Sequence, residues 1–136
     1  MNASEEIKRF LNFLEEAKKA YDSSYQAVGI EDKRSQDLLH AIEFEHLSEN
    51  LDGLCRKLKW SRMERRRNKD IVEILQPIYD FLNDSRNEKT LNLLPQVLGS
   101  VRKIEERHQN RSYIPRVEND VVGGRDEQGP SCRTPG

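Results

Sequence analysis

LDGLCRKLKWSRMERRRNKDIVEILQPIYDFL, Leu51 to Leu82, decides the fold of this chain. Leu51, Leu54, Leu58, Val72, Leu75, Tyr79 and Leu82 are separated by three, by four, or by sums of such steps. That spacing lines them up on one stripe of a helix. Ser48 precedes the run and is placed to accept from the free amides of the first turn. Glu49 and Asp52 suit the positive end of the helix dipole. Between Leu58 and Val72 the stripe is interrupted. Positions 62, 65 and 69 would continue it, and they hold Arg62, Arg65 and Lys69. Either the helix projects past the body there, or a partner covers that section. Pro77 is expected to kink the helix about one turn upstream, near Glu73.

Working outward toward the N-terminus, Ile7, Phe10, Leu14, Ala17, Tyr21, Tyr25 and Val28 form a heptad-like seam. The spacing predicts a first helix from about Ser4 to Val28, capped by Ser4, with Glu5 and Glu6 in its first turn. Gly29 is placed to end it. A short helix is expected from about Lys33 to Phe44, with Asp32 as cap and Leu38, Leu39 and Ile42 as its apolar face. Phe44 and Leu47 are expected to pack at the corner.

Toward the C-terminus, NDSRN (Asn83 to Asn87) reads as a turn. A last helix follows to about Gln109, with Leu91, Leu94, Leu98, Val101 and Ile104 as its stripe. Pro95 fits a start near Asn92 and kinks the helix if it begins near Asn87. RSYIPRV (Arg111 to Val117) reads as extended because Ile114 precedes Pro115. From Glu118 the chain is polar and expected to be disordered. The expectation is an all-α domain over 1–117 and a tail over 118–136. The domain is an antiparallel helical bundle, or a long helical hairpin with one long central helix. The stripes of the first, long and last helices supply its core.

Composition limits the function. The chain has 136 residues, 35% of them hydrophobic and 35% charged, a balance that favours a surface-rich helical protein over a deep-cored enzyme. No apolar run long enough to span a membrane occurs, and MNASEEIKRF has no long apolar core of the secretory kind, so a cytoplasmic setting is expected. Cys55, beside Leu54, is expected in the core, and a bridge to Cys132 in the Gly/Pro-rich tail is not expected.

The net charge of −1 conceals segregation. Residues 1–55 sum to −6, residues 56–69 to +7, and residues 70–136 to −2. The basic block, with Arg56, Lys59, Trp60, Arg62, Arg65, Arg66, Arg67 and Lys69, is the candidate binding surface. It offers phosphate contacts and an indole for stacking. The competing expectation is a solvated helix middle paired with carboxylates of the first helix, such as Glu15, Glu16 and Asp22. No helix-turn-helix pattern, zinc spacing or ribonucleoprotein motif accompanies the block. His40, Glu43 and His46 lack the further ligands of a metal site. No catalytic Ser, Cys or His arrangement and no Gly-rich phosphate loop appears. A non-enzymatic protein with no cofactor, metal or small-molecule substrate is expected. Its partner is another protein or a second copy, or, alternatively, nucleic acid on residues 56–69. Tyr113 to Arg116 is a further candidate for extended docking.

ERRRNKDIVEILQPIYDFL (Glu64 to Leu82) and LGSVRKIEERHQNRSYIPRV (Leu98 to Val117) together resemble uncharacterised small helical proteins of phages and mobile elements of Gram-positive bacteria. The resemblance covers residues near 38–117. It implies an accessory protein in a bacterial host's cytoplasm that binds host machinery or nucleic acid. It carries over no activity and no site.

Overall fold

The computed structural model describes residues 1–111 and 117, and all three of its regular elements are helices. They are α1 (Ala3–Phe44), α2 (Ser48–Asn83) and α3 (Ser85–Gln109). The chain divides into two compact units, Met1–Gln96 and Val97–Gly136. The expectations for RSYIPRV and for the tail from Glu118, including Cys132, lie outside the described residues apart from Arg111 and Val117.

α1 is one helix of 42 residues where two were expected. Its cap is Asn2, not Ser4: the Asn2 side chain accepts from the Glu5 amide at 3.2 Å and from the Ser4 hydroxyl at 2.9 Å. Glu5 and Glu6 occupy the first turn, where the helix dipole favours them. Gly29 does not end the helix. A glycine inside a helix costs about 1 kcal/mol against alanine, too little to break a helix whose seam is packed on both sides of it. Asp32 caps nothing and instead reaches α2.

The corner uses neither Gly nor Pro. Glu45 adopts an extended backbone (φ −84°, ψ 131°), and its carboxylate accepts from the amides of His46 and Leu47, both at 3.1 Å. Ser48 therefore caps nothing; Leu47 holds the N-cap position without a side-chain bond. Phe44 and Leu47 do not pack at the corner but stand exposed. α2 continues through Pro77 to Asn83. Asp84 alone separates it from α3. Its backbone is extended, and its carboxylate accepts from the Arg86 amide at 2.9 Å and from the Arg86 guanidinium at 2.7 Å. α3 thus begins earlier than expected, with Pro95 in its interior.

The helices that pack on one another are α1 and α2. They run antiparallel, as contacts between Tyr21 and Gln76 and between Ser35 and Ser61 require. α1 is the longer of the two, so α2 is not the one long helix of the fold. The seam of α1 passes through Leu14, Ala17, Tyr21, Ser24, Glu31 and Ser35, all buried, with Val28, Leu38 and Ile42 half-buried. Phe10 and Tyr25, expected in the seam, are exposed. The α2 seam is a strict heptad. Leu51, Leu58, Arg65, Val72 and Tyr79 alternate with Leu54, Ser61, Asn68, Leu75 and Leu82. Tyr79 stacks on Tyr21 at 3.8 Å between ring centroids. Cys55 is exposed, not a core residue, because it falls one position past Leu54 and off the seam.

In α3, Leu91, Leu94 and Val101 are half-buried, Leu98 is buried, and Ile104 is exposed. A β-carbon added at Gly99 would meet nothing within 4 Å. No helix among the described residues is long and apolar enough to cross a membrane.

Candidate binding surfaces of the helical hairpin

The interruption between Leu58 and Val72 is filled by polar side chains that belong to the seam. Its continuation runs through Ser61, Arg65 and Asn68, not through Arg62 and Lys69, which are exposed. Ser61 is completely buried. Its hydroxyl donates to Glu31 Oε1 at 2.8 Å and lies 3.2 Å from the Ser35 hydroxyl. The other oxygen of Glu31, Oε2, accepts from Arg34 Nη1 at 2.9 Å. A carboxylate enclosed between two helices is costly unless its lone pairs are met, and here both oxygens have donors. The guanidinium of Arg34 sits 5.7 Å from the centre of the Trp60 ring. Its charge is thereby held at the edge of the layer.

Two members of the basic block are engaged within the chain. Arg65 Nε donates to Asp32 Oδ1 at 2.5 Å, and Arg67 pairs with Glu64. The carboxylates are Asp32 and Glu64, not Glu15, Glu16 and Asp22. The antiparallel register sets Asp22 level with the second half of α2, well past the block. Arg56, Lys59, Arg62, Arg66 and Lys69 have no carboxylate within ion-pair distance among the described residues. Lys59, Arg62, Met63, Arg66, Arg67 and Asp70 border an open depression of about 550 Å³. Trp60 is not among the residues that border this depression; its ring lies beside Arg34 instead.

The seam divides the outside of the hairpin into two flanks. On one, Tyr25, Val28, Asp32, Lys69, Val72 and Glu73 line a groove of about 280 Å³ of mixed polarity. The other flank, marked by Arg34 over Trp60, is apolar. Phe13, Ala20, Ala27, Arg34 and Ala41 recur every seven residues on α1, with Ile30 and Phe44 further round the same side. On α2 the same flank carries Trp60, Ile71, Ile74, Ile78 and Phe81. Ile74 and Phe44 are 72% exposed, and Phe13, Ile30, Trp60 and Phe81 about half exposed. The motifs of the sequence point to Arg56–Lys69; this apolar flank is invisible among them because its residues fall between two seams. The signal that finds it is the second heptad, Phe13–Ala20–Ala27, one position before the first.

Three groups have perturbed acidity. The Leu47 amide foremost, then the Asn50 side chain and the His46 amide, hold the Glu45 carboxyl below its usual value. The Arg86 guanidinium, then the Arg86 amide, does the same for Asp84, and the Arg86 pKa is raised in return. All three lie at helix junctions. His40 and Glu43 approach at 3.8 Å on an exposed turn. Among the described residues, no group of three His, Cys, Asp or Glu side chains is placed to hold a metal ion. In comparisons with known proteins, no protein-family model, no curated protein and no solved structure matches this chain.

Proposed function

We propose that this chain is a non-enzymatic helical interaction protein that works by association through the apolar flank of its α1–α2 hairpin. The observation that supports it is the row Phe13, Ile30, Trp60, Ile74 and Phe81, large apolar side chains each between 46% and 72% exposed on one side. Contiguous exposed apolar surface of that kind is uncommon unless it is covered by a partner. The resemblance to phage and mobile-element proteins is what assigns the bacterial host and its cytoplasm as the setting. The test is dye binding at high dilution. The full chain enhances ANS fluorescence, and Ile74→Lys with Phe81→Lys removes most of the signal while helical circular dichroism is kept. Equal enhancement by the variant would refute the flank.

A second reading, nucleic-acid binding, is favoured by the unpaired cations Lys59, Arg62 and Arg66 around one depression. Each phosphate contact contributes about one unit to the salt slope of affinity. Arg62→Ala with Arg66→Ala is then expected to lower that slope by about two. Arg65 and Arg67, already paired within the chain, contribute less. No binding to DNA or RNA at low salt removes this alternative.

A further inference from the structure

We infer that the occupant of the apolar flank is a second copy of this chain, laid antiparallel across it so that two hairpins form a four-helix bundle. This rests on the association proposed above and names its partner.

Three observations lead to it. The first is the small interior. In the hairpin unit only Leu14, Ala17 and Tyr21 are buried apolar residues, for two helices of 42 and 36 residues. The middle of the seam is polar: Ser24, Glu31, Ser35, Ser61, Arg65 and Asn68. A two-helix pair buries one stripe of each helix, whereas a four-helix bundle buries two. Both helices carry that second stripe on the same flank.

The second is area. An aromatic side chain offers about 150–250 Å², so the exposed fractions of Phe13, Phe44, Trp60 and Phe81, with Ile30 and Ile74, amount to roughly 700 Å². A stable association buries about 800 Å² on each partner. The apolar flank supplies most of that value, and its polar rim supplies the remainder.

The third is charge, which fixes the direction. A two-fold interface is self-complementary: each contact occurs twice with the roles exchanged. On this flank Glu6 pairs with Arg9 and Arg34 with Glu31, and Asp37 lies toward the corner; Glu16 toward the open end and Lys57 toward the corner have no ion-pair partner among the described residues of the hairpin. The apolar stretch of α1 runs from Phe13 to Phe44, so its midpoint falls between Ala27 and Ile30. A two-fold axis there brings Glu16 to the level of the partner's Lys57 and sets Ile30 against the partner's Ala27. A parallel arrangement would face Glu16 with Glu16 and Lys57 with Lys57, which repels. Ala27 leaves room for the facing Ile30 side chain, as large-against-small packing requires.

The experiment is sedimentation equilibrium of the full chain over a range of concentration. The expected mass is twice the 15.9 kDa of the chain. Ile74→Lys weakens the dimer by about thirtyfold or more, as loss of a central contact does. Ile74 is exposed within the hairpin, so helical circular dichroism is unchanged. Tyr25→Lys, on the opposite flank, leaves the dimer intact. Glu16→Lys and Lys57→Glu each weaken it by roughly two- to fivefold, and the two together restore it. A monomer at every concentration overturns the second copy while leaving the dye-binding result, and with it the association surface, untouched. A dimer that survives Ile74→Lys but fails with Tyr25→Lys overturns the choice of flank. Charge reversals that add rather than cancel overturn the antiparallel direction.

Discussion

Replacing Ser61 with alanine removes a single oxygen from the centre of the hairpin. That oxygen lies in a fully buried side chain, 2.8 Å from Glu31 Oε1 and 3.2 Å from the Ser35 hydroxyl. The cavity left behind is negligible, because the β-carbon stays. The cost comes from Glu31, whose side chain is 9% exposed and whose Oε1 loses its Ser61 donor. A hydrogen bond to a charged group contributes about 1.5–3 kcal/mol. Arg34 still holds Oε2 at 2.9 Å, so the expected loss lies near the middle, about 2 kcal/mol. For a unit of this size that is a fall in melting temperature of roughly 8–16 °C. Urea unfolding followed by helical circular dichroism measures it, with chain concentration held fixed because association shifts apparent stability. In a double-mutant cycle with Glu31→Ala, the two losses are expected to be non-additive by roughly 1–2 kcal/mol. Converting the whole layer, with Glu31→Leu, Ser35→Ala and Ser61→Ala together, is expected to recover the stability, since apolar replacements of buried ionic groups are often neutral or better. A Ser61→Ala protein within about 0.5 kcal/mol of the parent, or strict additivity with Glu31→Ala, would refute the reasoning.

Gly29→Ala is expected to stabilise the hairpin by about 1 kcal/mol, because Gly29 lies inside α1 and an added β-carbon meets nothing within 4 Å. A lower melting temperature in this variant would return Gly29 to the role of helix terminator. The junction carboxylates make stability depend on acidity. Glu45 and Asp84 have lowered pKa values when folded, so their contribution is present above the ordinary carboxylate range and is lost as pH falls through the depressed values. Glu45→Gln is expected to flatten the acid limb of the melting temperature measured from pH 6 to pH 2; an unchanged limb means that the Glu45 carboxylate does not hold the corner.

The all-helical class was legible from steps of three and four alone. Leu51, Leu54, Leu58, Val72, Leu75, Tyr79 and Leu82 are all half-buried along one stripe, as their spacing required, and Tyr79 stacks on Tyr21 of α1. The interruption between them was legible as a position but not as a content. Apolar periodicity has no way to register Ser61 or Asn68 as interior, because their burial depends on what the other helix sends across. Gly29 misled for a related reason: its preference for helix ends is worth about 1 kcal/mol, and the seam on either side outweighs it. The corner was unreadable because a carboxylate, Glu45, does what a Gly or Pro does elsewhere. Of the basic block, sequence located every residue but could not separate Arg65 and Arg67, which find carboxylates, from Arg62 and Arg66, which do not.

Trp60 is the sole indole of the sequence, and its place beside Arg34 makes it a natural optical probe. Separation of the two helices removes the guanidinium from the ring, whereas covering the apolar side removes water from it. The first event alters emission intensity and the second shifts emission to shorter wavelength. Unfolding and assembly are thereby distinguishable in the unlabelled chain by one spectrum.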